Sequence, residues 1–158
     1  MELHPVAAQV AADVARRDPQ RLSALLTETV RLRALLPGGP IEAHGQENVA
    51  ALLCALFADF DTVDVVESAG EPVADKLLIH YRLHVTQPTQ RWVCTQTAVC
   101  RLVDGRLAVI DLLCSGFREI EIIAYDERVG SGDVDAMLAV ARRTSSAPSS
   151  QKTTVINE

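Results

Sequence analysis

The stretch from Arg91 to Phe117 constrains the fold more than any other part of this chain. Its first half, Trp92–Val103, is rich in β-branched, aromatic and sulfur-bearing side chains and contains neither proline nor glycine, which is typical of a long strand. Asp104-Gly105 follows, and both residues tolerate the positive φ that a two-residue hairpin turn requires. Arg106–Leu113 is therefore predicted to return alongside the first strand.

Helices are predicted before this hairpin. Apolar side chains recur at helical spacing near the N-terminus and again after residue 45, whereas the segments after residue 60 follow strand patterns. In chain order, the predicted elements are helices over 5–17 and from Asp18, a strand over 29–36, a loop over 37–40, a helix over 46–60, and strands over 63–68, 75–86, 91–103 and 106–113. This order indicates an α+β fold, with three N-terminal helices packed on a strongly curved, mixed or antiparallel sheet. Such a scaffold suits the enclosure of a small apolar ligand.

The composition indicates a soluble protein that needs no metal or disulfide to fold. A chain of 158 residues can bury a sizeable core. The net charge is −6 and the 15 lysines and arginines are scattered, which argues against nucleic acid as a partner. There is no apolar span of about twenty residues. The opening M-E-L-H-P-V also lacks the pattern of a signal peptide, so we expect no membrane partner and a cytoplasmic location.

The C-terminal part shows weaker patterns. Residues 120–125 could extend the last strand, and Asp133 could cap a short helix that ends at Arg142. From Thr144 the chain turns to serine, threonine, proline, glutamine and lysine without periodicity. We therefore predict one domain over 1–143 and a disordered tail over 144–158.

Three short motifs carry a resemblance to a known superfamily. They are Arg17-Asp18-Pro19 before the second helix, His44–Val49 (H-G-Q-E-N-V) at the start of the third, and Val103–Leu107 (V-D-G-R-L) at the last hairpin. In this order and spacing, the chain from Val6 to about Phe117 resembles the nuclear transport factor two-like superfamily. That superfamily includes ketosteroid isomerase, limonene epoxide hydrolase and the SnoaL-like polyketide cyclases. The resemblance implies a cone-shaped α+β barrel with an open mouth, and a homodimer formed through the sheet.

The catalytic residues of these relatives have no counterparts at the matching positions. The positions that correspond to the catalytic residues of ketosteroid isomerase, Val10 and Ala98 among them, hold apolar residues in this chain. Limonene epoxide hydrolase needs an arginine and an aspartate two apart on one strand, where this chain has T-Q-T-A over 95–98. The SnoaL-like cyclases use an aspartate that would fall near Ser115, and Asp111 is the nearest carboxylate.

Two functions therefore stay open. The resemblance implies a small-molecule enzyme of secondary metabolism, a cyclase or isomerase that acts on an apolar polyketide- or terpenoid-like substrate. The alternative is a non-catalytic ligand-binding or dimerisation module that keeps the fold and has lost the acid and base residues. A third hypothesis is that the protein is an adaptor that binds other proteins. No phosphate-binding glycine motif and no metal-ligand spacing occurs in the sequence, so we expect neither a cofactor nor a metal.

Alternation along the strands divides their side chains between two faces. If the apolar face lines a pocket, Tyr81 and Gln96 are its main polar groups and would orient a carbonyl or hydroxyl. These two residues and Asp111 form the candidate catalytic set. The candidate ligand-binding residues are Trp92, Cys94, Cys100, Ile110, Leu112, Cys114 and Phe57. The competing interpretation, of equal weight, is that Tyr81 and Trp92 only pack in the core.

The opposite face of the second long strand carries His80, Arg82 and His84. With Asp111, this stripe could supply a general acid–base pair. We favour a solvated or dimer-contacting outer face, because alternating polar residues usually mark the wet side of a sheet. A register slip of one residue would exchange the two faces. The four cysteines show no C-x-x-C spacing and are expected to be reduced and inert.

Overall fold

The computed structural model describes residues 4–121, which form three helices and one six-stranded mixed sheet. The helices are α1 (Pro5–Arg16), α2 (Pro19–Ser23) and α3 (Gln46–Ala55). The strands are β1 (Leu26–Leu36), β2 (Gly39–His44), β3 (Thr62–Val73), β4 (Lys76–Gln87), β5 (Gln90–Val103) and β6 (Arg106–Glu119). The α+β class predicted from the sequence is confirmed.

The sheet is open rather than closed. Its strand order is β2-β1-β6-β5-β4-β3, with β1 and β6 parallel and every other neighbouring pair antiparallel. The two outermost strands, β2 and β3, do not pair with each other. Each carries a proline, Pro40 and Pro72, and proline suits an edge because it has no N–H to donate to a further strand. The described residues therefore do not form the barrel that the resemblance implied.

Local sequence explains where the N-terminal helices begin and end. Pro5 and Pro19 occupy first helical turns, where a backbone donor is not needed. The Asp18 side chain caps α2 by accepting a hydrogen bond from the Arg21 backbone N–H at 3.1 Å. Arg17 ends α1 in the left-handed region with φ of 55°. The predicted break at Asp18-Pro19 is thus where the helices separate.

Several predicted boundaries differ from the structure, and β6, for example, ends at Glu119 rather than Leu113. The loop predicted at 37–40 becomes β2 from Gly39, so two strands rather than one precede α3. The helix predicted to reach residue 60 ends at Ala55 and continues as tight turns, with the Phe57 N–H bonded to the Cys54 carbonyl. The segment 69–72, predicted as a connection, is part of β3, and the turn lies at Ala74-Asp75 instead.

Strands β4, β5 and β6 alternate between two faces as predicted. One face, here called the inner face, is buried under the helices, and the other is the outer face. The inner-face residues of these strands are Leu77, Ile79, Tyr81, Leu83, Val85, Cys94, Gln96, Ala98, Cys100, Ile110, Leu112 and Cys114. They join apolar side chains from α1, α2 and α3 in a single core.

Several predictions concern residues outside 4–121. The domain end at residue 143, the short helix over 133–142 and the tail over 144–158 all lie outside the described residues. Within 4–121, no helix has the length and apolar character needed to cross a membrane.

Candidate functional site

Three cross-strand neighbours form a buried polar row in the middle of the inner face. Tyr81 on β4 lies opposite Gln96 on β5, and Gln96 lies opposite Cys114 on β6. The Tyr81 hydroxyl donates a hydrogen bond to Gln96 Oε1, and Gln96 Nε2 donates to Cys114 Sγ at 3.5 Å. Cys94 Sγ lies 3.6 Å from Cys114 Sγ. One amide thus links a phenol to a pair of thiols, and both of its polar atoms are satisfied.

Burial and the contact between the two thiols set the protonation of this polar row. It raises the pKa of Tyr81 well above the ordinary value, so the phenol keeps its proton. The contact with Cys114 and burial together raise the pKa of the Cys94 thiol. The same contact lowers the pKa of Cys114 against the effect of burial. The polar row therefore contains neutral hydrogen-bond donors, and Cys114 Sγ is the last acceptor in it.

A small void adjoins Tyr81. Its volume is about 20 Å³, and apolar side chains of α1, α2, α3 and the sheet line the rest of it. Three of the predicted ligand-binding residues, Cys100, Ile110 and Leu112, are among them. The void is of the size that holds about one water molecule, whereas small-molecule sites usually measure roughly 300–1,000 Å³. Side chains therefore fill most of the space between the helices and the sheet.

Aromatic rings lie together at one end of the inner face. Trp92 packs against Phe60 with ring centroids 5.6 Å apart, and Phe117 lies 4.7 Å from Phe60 and 5.8 Å from Phe57. The Arg17 guanidinium donates hydrogen bonds to the backbone carbonyls of Phe57 and Phe60 and so fixes the turns after α3. Two predicted ligand-binding residues, Phe57 and Trp92, belong to this aromatic cluster. Phe117 was not among the predicted site residues, because the last strand was predicted to end at Leu113, whereas β6 extends to Glu119.

Asp111 lies on the outer face of the sheet. Its Oδ1 accepts a hydrogen bond from Arg33 Nε at 2.7 Å. This hydrogen bond holds the pKa of Asp111 below its usual value, and the charges of Arg33 and Arg31 add to the effect. The structure therefore brings Tyr81 and Gln96 together and separates Asp111 from both.

The stripe of His80, Arg82 and His84 also lies on the outer face. His80 Nδ1 is 3.0 Å from Thr97 Oγ1, and Arg82 Nη1 is 3.6 Å from Glu67 Oε2. Within residues 4–121, neither histidine of the stripe pairs with a carboxylate. Over the same range, no group of three or more histidine, cysteine, aspartate or glutamate side chains is arranged to hold a metal.

A buried carboxylate on α1 was not among the predicted site residues. Asp13 is 1% exposed, its Oδ1 lies 3.4 Å from Arg16 Nη1, and its Oδ2 has no partner among the described residues. The sequence carries a signal for it, because Asp13 falls on the same helical stripe as Val10 and Val14. It does not line the void beside Tyr81.

A family model matches the greater part of the chain. Residues 6–110 match the model described as the SnoaL-like domain. The matched segment begins in α1 and ends in β6, so it spans all of the helices and the polar row except Cys114. Curated protein sequences give no significant match.

Solved structures share the fold at low sequence identity. A protein with a ketosteroid isomerase-like fold from Catenulispora acidiphila, solved with trimethylamine, has a TM-score of 0.59 and 12% identity over 70% of this chain and 85% of its own. A proposed isomerase from Bacillus subtilis has a TM-score of 0.58 and 12% identity over 70% of this chain and 84% of its own. A proposed polyketide cyclase from Xanthomonas campestris has a TM-score of 0.54 and 16% identity over 69% of this chain and 87% of its own. At these identities the similarity shows the fold alone.

Proposed function

Because the chain belongs to the SnoaL-like domain family, we propose that it is a small-molecule enzyme, a cyclase or isomerase whose substrate is an apolar polyketide- or terpenoid-like compound. The observation that carries the proposal is the Tyr81–Gln96 hydrogen bond beside a void in an otherwise apolar interior. Ligand sites typically combine apolar walls with a few convergent polar groups, and this is the composition of the inner face.

The proposed chemistry rests on neutral donors. Because burial raises the pKa of Tyr81, its hydroxyl stays protonated in neutral solution. In the proposed complex, a substrate carbonyl oxygen replaces Gln96 Oε1 as the acceptor of the Tyr81 hydrogen bond. This donor then stabilises the negative charge that develops on the oxygen during ring closure, in which the carbon of an enol already present in the substrate adds to the carbonyl carbon and the enol proton passes to the new alkoxide oxygen. No carboxylate or imidazole lines the void. We therefore assign catalysis to orientation and exclusion of water, and not to a strong base.

The proposed substrate would contact the apolar residues around this donor. They are the predicted set Trp92, Cys94, Cys100, Ile110, Leu112, Cys114 and Phe57, all of which belong to or pack against the core. Asp111 is not part of this proposed site, because it lies on the outer face. A substrate larger than water requires the helices or the aromatic cluster to move away from the sheet, since the void measures only about 20 Å³.

The filled interior favours a second candidate function. A non-catalytic module that keeps the fold and has lost the family's acid and base residues would need no cavity. Under this alternative, the Tyr81–Gln96 hydrogen bond serves only to satisfy two buried polar groups. The two candidates differ in whether an apolar ligand enters the core, and that difference is measurable.

Ligand entry is tested with the only tryptophan of the chain, Trp92. We would titrate the protein with a panel of apolar polycyclic compounds and follow Trp92 fluorescence. A saturable change is expected if the core opens. Ala98→Leu, which fills the space next to the void, should abolish it, whereas Val99→Leu on the outer face should not. The absence of any saturable change across the panel would contradict the enzyme proposal and support the module.

We also propose a homodimer formed through the outer face. Leu35 on β1 and Leu113 on β6 are register partners, and their side chains are 53% and 57% exposed. Two adjacent exposed leucines in a sheet are a suitable centre for a two-fold contact. Light scattering at concentrations of roughly tens of micromolar tests this, and a monomeric mass at every concentration would rule the dimer out.

A further inference from the structure

A second cleft lies on the outer face of the sheet, on the side opposite the void. Its volume is about 280 Å³, and Val99 and Val109 form part of its floor. The charged residues that line it are Arg31, Arg33, Lys76, Arg101 and Asp111. We propose that this cleft binds a small oxyanion ligand that carries two or more carboxylate or phosphate charges.

The charge of the cleft is the first argument. Four of its lining side chains are cationic and one, Asp111, is anionic, which leaves an excess of three positive charges. The whole chain has the opposite sign, with a net charge of −6. Cations from β1, from β5 and from the first residue of β4 thus gather in one place on an acidic protein. A cleft with a single sign of excess charge concentrates ligands of the other sign.

The second argument is that the arginines have donors to spare, whereas Lys76 Nζ already lies 3.7 Å from Asp75 Oδ1. Arg31 and Arg101 form no ion pair or side-chain hydrogen bond with any described residue, and Arg33 uses only its Nε, on Asp111. Guanidinium groups match the geometry of carboxylate and phosphate oxygens and bind them in a bidentate manner. The Arg33–Asp111 contact at 2.7 Å fixes one guanidinium in place and leaves its two Nη atoms for a ligand.

The register of the sheet brings these groups within reach of one ligand. Arg31 lies opposite Val109, and Val109 lies opposite Arg101, so the two arginines flank one residue of β6. Arg33 lies opposite Asp111 in the next row of the same face. Neighbouring strands are spaced by about 4.8 Å. The backbones of Arg31 and Arg101 are therefore two strand spacings apart, with β6 between them.

The size of the cleft indicates a small ligand rather than a polymer. A volume of about 280 Å³ lies at the lower end of the range for small-molecule sites. A long polyanion would also meet the surrounding negative charge of the chain, since recognition of nucleic acid needs an extended basic surface. The proposed dimer contact at Leu35 and Leu113 lies one row further along the sheet than Arg33 and Asp111, so the cleft would lie at the border of that contact.

Calorimetry with two probes tests the proposal. Citrate and pyrophosphate would each be titrated into the full-length protein at pH 7.5 and low ionic strength, with acetate as a monoanion for comparison. We expect one saturable site per chain for at least one of the two probes, and no saturable binding of acetate. Tighter binding of citrate identifies a carboxylate ligand and tighter binding of pyrophosphate identifies a phosphate ligand. Either result supports the proposal. If neither probe gives a saturable heat of binding, the proposal is overturned.

Variants locate the site. Arg31→Gln and Arg101→Gln should each lower the affinity for the probe about tenfold, since each removes charge-assisted hydrogen bonds. Asp111→Asn should tighten binding, because it removes the negative charge from the cleft. The matched control is Arg82→Gln, which changes an arginine of the same face that pairs with Glu67 and does not line the cleft. Equal weakening by Arg82→Gln would show diffuse attraction and overturn the proposal. Circular dichroism checks that each variant is folded.

Discussion

The hydroxyl of Tyr81 donates a hydrogen bond to the amide oxygen of Gln96 across β4 and β5, and both residues are closed to solvent. The two positions are direct cross-strand partners. A buried hydrogen bond of this kind fixes strand register, because a slip of one residue would leave both groups without a partner in the core. The same pair is the polar centre of the proposed site, so it links the stability of the fold to its proposed chemistry.

This relationship predicts strong coupling between the two residues. Tyr81→Phe leaves Gln96 Oε1 without its donor, and we expect a loss of about 1–3 kcal/mol in the free energy of unfolding. Gln96→Met leaves the Tyr81 hydroxyl without its acceptor and should lower the free energy of unfolding by a similar amount. The double variant should cost clearly less than the sum, because it leaves neither group unpaired. Urea denaturation of the four proteins measures this. Additive losses would mean that the hydrogen bond contributes little.

Cys54 should make the protein less stable in alkali. Burial raises the pKa of this thiol from 9.0 to about 11, with the charges of Asp18 and Asp13 adding to the effect. The folded state therefore holds the proton more tightly than the unfolded state. The resulting stability is complete below pH 9.0 and is lost as the pH rises through about 11.

The measurement is the free energy of unfolding of wild type and Cys54→Ala between pH 8 and roughly 11.5. The difference between the two proteins should shrink with rising pH by an amount on the order of 1–2 kcal/mol. Cys100→Ala serves as a comparison, because the pKa of that thiol is raised further, from 9.0 to about 12, so its effect should begin at the same pH and continue to a higher pH. Parallel stability curves would show that the Cys54 thiol ionises equally in both states.

Gly70 should be intolerant of any side chain. It lies in the middle of β3 under the start of α1, where an added Cβ would contact the His4 side chain and come within 2.9 Å of Ala7 Cβ. Gly70→Ala must therefore push α1 away from the sheet, and we expect a loss of roughly 1–3 kcal/mol. Gly38→Ala is the matched control, because nothing lies within 4 Å of its added Cβ. Similar unfolding midpoints for the two variants would show that α1 shifts at no cost.

Gly70 also shows why part of the fold could not be predicted from the sequence. Ala69-Gly70-Glu71-Pro72 has the composition of a turn, yet it continues β3. Glycine is needed there because a helix lies close above it, and proline is tolerated because β3 is an edge strand. Both reasons depend on tertiary structure, which leaves no local signal in the sequence. The turn instead falls at Ala74, a residue with a left-handed φ of 54° that composition would not suggest.

The parts that could be predicted depend on local rules. Asp104 and Gly105 form the expected hairpin turn with φ values of 51° and 77°. Alternation along β4 and β5 predicts Tyr81 and Gln96 on the apolar face without reference to strand pairing. The outer-face cleft was not predictable in this way. Its arginines come from β1 and β5, which are separated in the sheet by β6, and only the parallel pairing of β1 with β6 brings them together.

The proposed dimer gives the last prediction. If Leu35 and Leu113 meet their counterparts across a two-fold axis, Leu113→Lys places a charge in the contact twice and should weaken the dimer at least ~30-fold. The matched control is Val66→Lys, since Val66 is 51% exposed on edge strand β3 and away from this patch. Sedimentation equilibrium of both variants measures the dissociation constant. A dimer that survives Leu113→Lys and dissociates in Val66→Lys would place the contact at the edge of the sheet, where β3 offers an unpaired strand.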